Sequence, residues 1–225
     1  MVATEVCLEL SVAPADPVEL YRYLGYPREA APVPRLAEQI AAAVAEAMAS
    51  IRPHGVYAVY EVGERTAHSL NLAECTISGN IGEYLAEASR VAVFAVTVGE
   101  EISQLSEAAA KKGDTFTAWA MDAAGSWAAE SAADALMARL RGHLRDGEEL
   151  TLRYSPGYCG MEIGQQQKLF ELVRAEEIGV TLLPSMLMHP LKSISGLVGL
   201  APKEAVSRYR SPCDLCAREG CHMRR

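Results

Sequence analysis

The sequence predicts an α+β fold in a single domain, and three observations carry that expectation. Segments with the two-residue alternation of strands intermix with helical patterns, but without the strand–helix–strand rhythm of a doubly wound sheet. Arg90 to Val98 is an almost unbroken apolar run, as a strand covered on both faces requires. The 225 residues are half hydrophobic, and neither an internal repeat nor a low-complexity linker divides them. That is enough apolar material for one sizeable core.

The elements follow in order. Residues 5–12 alternate polar and apolar as a half-buried strand does, and Pro14 and Pro17 end it. Asp16 to Tyr23 reads as a short helix with Asp16 as its cap and Pro17 in its first turn. Beyond the irregular stretch marked by Pro27, Pro32 and Pro34, Leu36, Ile40, Val44 and Met48 recur every four residues on an alanine-rich background. This predicts an amphipathic helix from Arg35 to Ile51. Gly55 to Val62 is β-rich, Asn80 to Ala88 reads as a helix, Arg90 to Val98 as the central strand, and Glu100 to Lys112 as a helix. Asp114 to Leu144 is the longest helical stretch. Gly125 in its middle costs about 1 kcal/mol against alanine, which predicts a close packing approach at that point. Thr151 to Tyr154, Val180 to Leu183 and Ser193 to Leu200 read as strands, with a helix from Gly164 to Ala175. Residues 1–200 are expected to form the domain, and 201–225 a cysteine-rich C-terminal tail.

Composition excludes some functions. The net charge is −8 and the pI near 5.2, which argues against nucleic acid or an anionic membrane as the main partner. Charged residues interrupt every apolar stretch well before the ~18 residues that a membrane span needs. The first ten residues carry Glu5 and Glu9 and lack the basic flank of a secretory signal, so a cytoplasmic location is expected.

The chemistry concentrates in Arg153-Tyr154-Ser155-Pro156-Gly157-Tyr158. A strand delivers an arginine to its end, and a Pro-Gly turn follows at once. Pro156 fixes its own φ, and Gly157 is free to take a conformation closed to other residues, so a ligand can approach the main chain. Arg153 suits a carboxylate gripped by two parallel charge-assisted bonds, and Tyr158 offers a flat face and a hydroxyl. A small zwitterion with an aromatic group fits these features. The same residues also suit a plain surface turn with a capping arginine and a packed tyrosine.

This hexapeptide resembles the Arg-x-x-x-Gly-Tyr signature with which the activation domain of cobalamin-dependent methionine synthase holds S-adenosylmethionine. The similarity continues through the helix from Gln165 to Val173, the Gly179-to-Leu182 strand, Met188-His189-Pro190, and Ser193-Ile194-Ser195-Gly196. Upstream, Ala128 to Asp134 is similar to the family helix whose glutamate lies at the same ligand. The match is best over residues 90–200. Before residue 90 it rests on element order and on Tyr21-Arg22-Tyr23-Leu24-Gly25-Tyr26, which is similar to stand-alone members of the family. Two departures stand out: His189 occupies a position where many relatives have an aromatic residue, and the family's N-terminal acidic residue has no counterpart.

The resemblance implies a central, largely antiparallel twisted sheet flanked by helices. It implies that Arg153 pairs with the methionyl carboxylate and that Ser155 and Gly157 present main-chain groups. Tyr158 would lie against the ligand or the approaching corrinoid, and Glu130 would face the sulfonium or accept from the amine. The implied function is that of an accessory protein for reductive methylation of a Co(II) corrinoid, with S-adenosylmethionine as methyl donor. A cobalamin-dependent methionine synthase or related corrinoid methyltransferase would be the partner, and a flavodoxin or ferredoxin the electron donor. The sequence has no Asp-x-His-x-x-Gly motif, so cobalamin is expected to arrive on that partner. It also lacks a Gly-x-Gly-x-x-Gly loop and a P-loop.

Six cysteines are present, three of them within nine residues: Cys213, Cys216 and Cys221. The C-x-x-C spacing with a third thiol suits a metal, zinc as a structural ion or an iron–sulfur cluster as an electron relay. His222, Cys159 or Cys75 are the available fourth ligands. Three free thiols on a tail are the plainer reading. If the tail is instead the active part, the chain is a redox or sensor module. A structural domain that kept the fold and lost the ligand is the remaining alternative.

Overall fold

The computed structural model describes residues 3–7, 9–27, 30–158, 160–206 and 219. Its sheet is built on β5 (Arg90–Thr97), which is buried at every position, as its apolar run predicts. β5 pairs on one side with β2 (His54–Thr66) and on the other with β9 (Ser193–Pro202). β9 pairs in turn with β6 (Glu148–Tyr154), the last strand on that side. β2 is long enough to serve two partners along its outer edge. Gly55 to Val59 pair with β1 (Ala3–Cys7), and Val62 to Thr66 with β3 (Ser69–Leu72), which turns back into β4 (Cys75–Ser78). All of these pairings are antiparallel, and β7 (Thr181–Leu182) with β8 (Met188–His189) forms a separate two-stranded ribbon.

Helices cover both faces, because side chains alternate across each strand and both sets are apolar. One face packs Tyr57, Phe94, Val96 and Val198 against α1 (Pro17–Tyr23), α2 (Pro34–Ser50), α4 (Glu101–Lys111) and α5 (Thr115–Leu140). The other packs Val91, Val93, Tyr154 and Leu197 against the β3–β4 hairpin, α3 (Ile81–Tyr84), α6 (Gln165–Leu172) and the 3-10 turn Ala175–Ile178. A short α7 (Lys203–Val206) follows β9. The α+β class and the antiparallel sheet flanked by helices are as expected.

Several bounds differ from the sequence reading, each for a local reason. Asn80 to Ala88 is one helical turn rather than a helix, because Arg65 Nη1 takes the carbonyls of Leu85 and Ala88 at 2.6 and 3.0 Å. Gly164 to Ala175 divides at Val173, which turns extended to bury itself. Tyr60 Oη donates to the freed carbonyl of Leu172 at 2.5 Å. The first strand stops at Cys7 rather than residue 12, and β6 starts three residues before Thr151. The β3–β4 hairpin has no sequence signal of its own. Its two-residue turn is Ala73-Glu74, with Ala73 at φ +53°, where an Asn-Gly pair is the usual signature.

Two features set the position of the site. α5 starts where the side chain of Asp114 accepts from the N–H of Thr117 at 3.0 Å. That bond holds the carboxyl below the usual aspartate range. Gly196 sits where β9 passes under the end of β6. A Cβ there would lie 2.6 Å from the carbonyl oxygen of Tyr154, so only glycine admits this approach.

Gly196→Ala is therefore expected to destabilise the fold by about 1–3 kcal/mol in urea unfolding, the usual range for overpacking. Asp114→Ala should lower the midpoint at neutral pH. A depressed carboxyl stabilises above its unfolded pKa, and that contribution is lost as the pH falls through the folded value. The difference between variant and native protein should thus vanish in acid, which pH-dependent thermal melts would show.

Candidate functional site

β6 delivers two side chains to opposite faces at its end. Tyr154 enters the second core and stacks on Tyr84, with ring centroids 5.5 Å apart. Arg153, one residue earlier, therefore lies on the α5 side. Its Nη2 donates to Glu130 Oε2 at 2.9 Å, and its Nη1 lies 3.1 Å from Asp134 Oδ1. Glu130 and Asp134 are one turn apart on α5, so both carboxylates face the same guanidinium.

The two contacts are unequal. Asp134 is 75 % exposed, and its approach to Nη1 satisfies the distance of an ion pair but not the direction of a hydrogen bond. Nη1 is shielded from solvent and has no hydrogen-bond partner among the described residues. A ligand acceptor would reach this nitrogen only by taking the place of Asp134, whose exposed side chain is free to move.

The turn after β6 is built by its own backbone. Ser155 Oγ donates to the carbonyl of Ser195 at 2.8 Å, tying the turn to β9. Pro156 is buried, and Gly157 takes φ +91°. The N–H of Gly157 donates to the carbonyl of Met161 at 2.8 Å, and that of Tyr158 to the carbonyl of Ser155 at 3.2 Å. The main-chain groups expected to face a ligand are thus partly engaged within the turn. Tyr158 projects outward, 69 % exposed. The loop continues past it along an open groove lined by Gly157, Gly160, Met161, Glu162, Ile163 and Gly164. A separate depression between α3 and the end of β9 holds only about 30 Å³, room for little more than a water.

Arg153, Glu130, Ser155, Gly157 and Tyr158 thus lie at one end of the sheet, with Arg153 touching Glu130 directly. Two residues were not singled out by the sequence reading. Asp134 carried a signal, its four-residue spacing from Glu130. Lys192 carried none: it lies over Gly125 and bonds Asp122 and Ser126, which are distant in sequence. This is the close approach that the helical glycine predicts. His189 stands on β8, its Nε2 3.9 Å from Glu100 Oε1.

Cys213, Cys216 and Cys221 lie outside the described residues, as does Cys159. Cys75 lies on β4. Burial pushes its thiol up, and Glu171 adds to the shift against the opposing charge of Lys168. Among the described residues no group of three or more His, Cys, Asp or Glu side chains is placed to hold a metal. No helix among them is long and apolar enough to cross a membrane.

Removing the Ser155 hydroxyl separates the turn from β9. Ser155→Ala should cost about 1 kcal/mol of stability by denaturant titration, the typical worth of one hydrogen bond, and amide exchange should quicken in residues 155–161.

No curated protein matches the chain by sequence. Among solved structures the chain is similar to the crystal structure of the MetH reactivation domain bound to AdoHcy. The TM-score is 0.67 at 17 % identity, over 93 % of this chain and 81 % of that one. The family profile described as "Vitamin B12 dependent methionine synthase, activation domain" matches residues 80–210, more than half of the chain and the whole of the site described above. The chain belongs to this family of activation domains.

Proposed function

We propose that the protein binds S-adenosylmethionine at Arg153 and presents its methyl group to the corrinoid of a partner methyltransferase. The observation that carries this reading is the state of the Arg153 guanidinium. It is fixed at a strand end, 23 % exposed, and among the described residues its Nη1 is met by Asp134 alone, an exposed carboxylate that approaches without the geometry of a hydrogen bond. A free amino acid carboxylate is the group that such a fork accepts best. Family membership and the AdoHcy held by the similar MetH domain support the same choice, since AdoHcy is what remains after S-adenosylmethionine gives up its methyl group.

Each residue then has a task that needs no acid, base or protein nucleophile. Arg153 takes the methionyl carboxylate at Nη1 in place of Asp134, which swings out into solvent, while Glu130 keeps Nη2 in place and offers its remaining acceptor capacity to the ligand's ammonium or sulfonium. Gly157, at positive φ, lets the ligand lie close to the main chain, and Tyr158 supplies an exposed ring for it or for the incoming corrinoid. The net reaction consumes one electron and one methyl cation: Co(II) is reduced and methylated, and S-adenosylhomocysteine leaves. Positioning is the protein's contribution, because holding two reactants in line removes much of the entropic part of a barrier. The corrinoid comes with the partner, a methionine synthase or related methyltransferase, and the electron from a flavodoxin- or ferredoxin-type donor. Such low-potential chemistry suits the reducing cytoplasm.

Calorimetric titration tests the binding step directly. The native protein should bind S-adenosylmethionine with a dissociation constant on the order of micromolar. Arg153→Ala should weaken this about 10–100-fold, from loss of a charge-assisted pair worth ~1.5–3 kcal/mol. No heat of binding in the native protein, or an unchanged constant in the variant, would overturn the reading.

A further inference from the structure

α5 carries four polar residues at successive turns, Asp122, Ser126, Glu130 and Asp134, and two cations from different segments take them in pairs. Arg153 takes Glu130 and Asp134. Lys192, in the turn that enters β9, takes the other two: its Nζ lies 2.7 Å from Asp122 Oδ1 and donates to Ser126 Oγ at 2.9 Å. A lysine only 9 % exposed is unusual, because its charge must give up most of its hydration. Its stem crosses the helix at Gly125, where a Cβ would come within 3.0 to 3.2 Å of Cγ, Cδ and Cε. The backbone beneath it is anchored: the Lys192 carbonyl accepts from Val98 N–H at 3.1 Å, and Ser193 Oγ donates to Thr97 Oγ1 at 2.9 Å.

α5 is also tied by Ser106 Oγ, which donates to the Ala118 carbonyl at 2.8 Å, and by Ser131 Oγ, which accepts from Ala13 N–H at 3.1 Å, with Trp127 partly buried against the core. Neither of these two bonds runs to a strand of the sheet. Through its middle the buried surface is Ala120, Ala124, Ala128, Ala132 and Gly125, small groups that present shallow ridges. Large buried side chains lie towards the ends, at Met121, Leu136, Met137 and Leu140. A shallow interface tolerates axial sliding far better than interlocked side chains do, whereas directional bonds to a buried ammonium do not. We infer that Lys192 is a positioning residue for the site. It sets the height of α5 so that Glu130, one turn or about 6 Å beyond Ser126, faces Arg153 and the bound ligand. The inference rests on the S-adenosylmethionine reading above.

Lys192→Met keeps the apolar stem over Gly125 and removes the ammonium. S-adenosylmethionine binding is measured by calorimetry in the native and Glu130→Gln backgrounds, with thermal melting to confirm folding. The expected result is an affinity loss of about fivefold in the native background and less than about twofold in Glu130→Gln, because both changes act through one carboxylate. Lys192→Arg, which keeps a cation within reach of Asp122, should restore most of the affinity. Where Lys192→Met does not fold, Asp122→Asn weakens the same contact from the exposed side of the helix and should show the same coupling. Equal losses in both backgrounds, or none in either, overturn the assignment while the native protein still binds and Arg153→Ala still weakens it. A native protein that does not bind removes the underlying reading as well.

Discussion

The contact between Arg153 and Glu130 joins the edge strand of the sheet to the middle of its longest helix. Such a pair adds little to stability by itself, because the gain in attraction is offset by lost hydration and by solvent screening on the half-exposed carboxylate. Its importance is geometric. A guanidinium is a planar fork, and fixing one nitrogen fixes the direction of the other. With Nη2 held by Glu130, Nη1 is aimed and shielded, and Asp134 comes near it without meeting it in line. A better-aligned acceptor at that nitrogen has to displace Asp134.

The surrounding fold keeps that geometry from relaxing. Tyr154 anchors the end of β6 in the opposite core, so Arg153 cannot rotate away without pulling a buried ring out of contact with Tyr84. Gly196 lets β9 pass close beneath, and the Ser155 hydroxyl closes the seam. Two small residues thus do what bulk cannot: they bring two strands and a turn near enough for the Arg153 side chain to be held in place. Ser155, Gly157, Tyr158 and Met161 are likewise joined by their own backbone bonds, so the turn does not wait for a ligand to form it.

How much of this was legible depended on the range over which each constraint acts. The Pro-Gly turn and the Asp16 and Asp114 positions are local chemistry, and the chain states them within a few residues. The strand Arg90–Thr97 and the long helix announced themselves through burial pattern and length. Gly125 was legible as a place of close approach, because glycine is costly in a helix interior, but its occupant was not. Lys192 is 67 positions away and has no pattern to mark it. The β3–β4 hairpin was missed for the opposite reason: its strands are four residues each and its turn lacks the usual residues, so only pairing with the far half of β2 defines it. Glu130 could be singled out only through its family likeness; on physics alone it is one more charged residue on a helix.

A site made this way is better suited to holding than to proton transfer. Its two carboxylates, Glu130 and Asp134, both face the Arg153 guanidinium. A methyl transfer to a metal nucleophile makes the same demand: the donor carbon must point along one line, and the carboxylate, ammonium and sulfonium at the other end supply the handles. Misalignment is what such a reaction punishes most, since a displacement near 1 Å can cost on the order of 100-fold in rate. That is a reason to stiffen an alanine-faced helix with a second buried cation. Under the reading proposed above, a glycine inside a helix and a lysine out of water serve a single requirement of position.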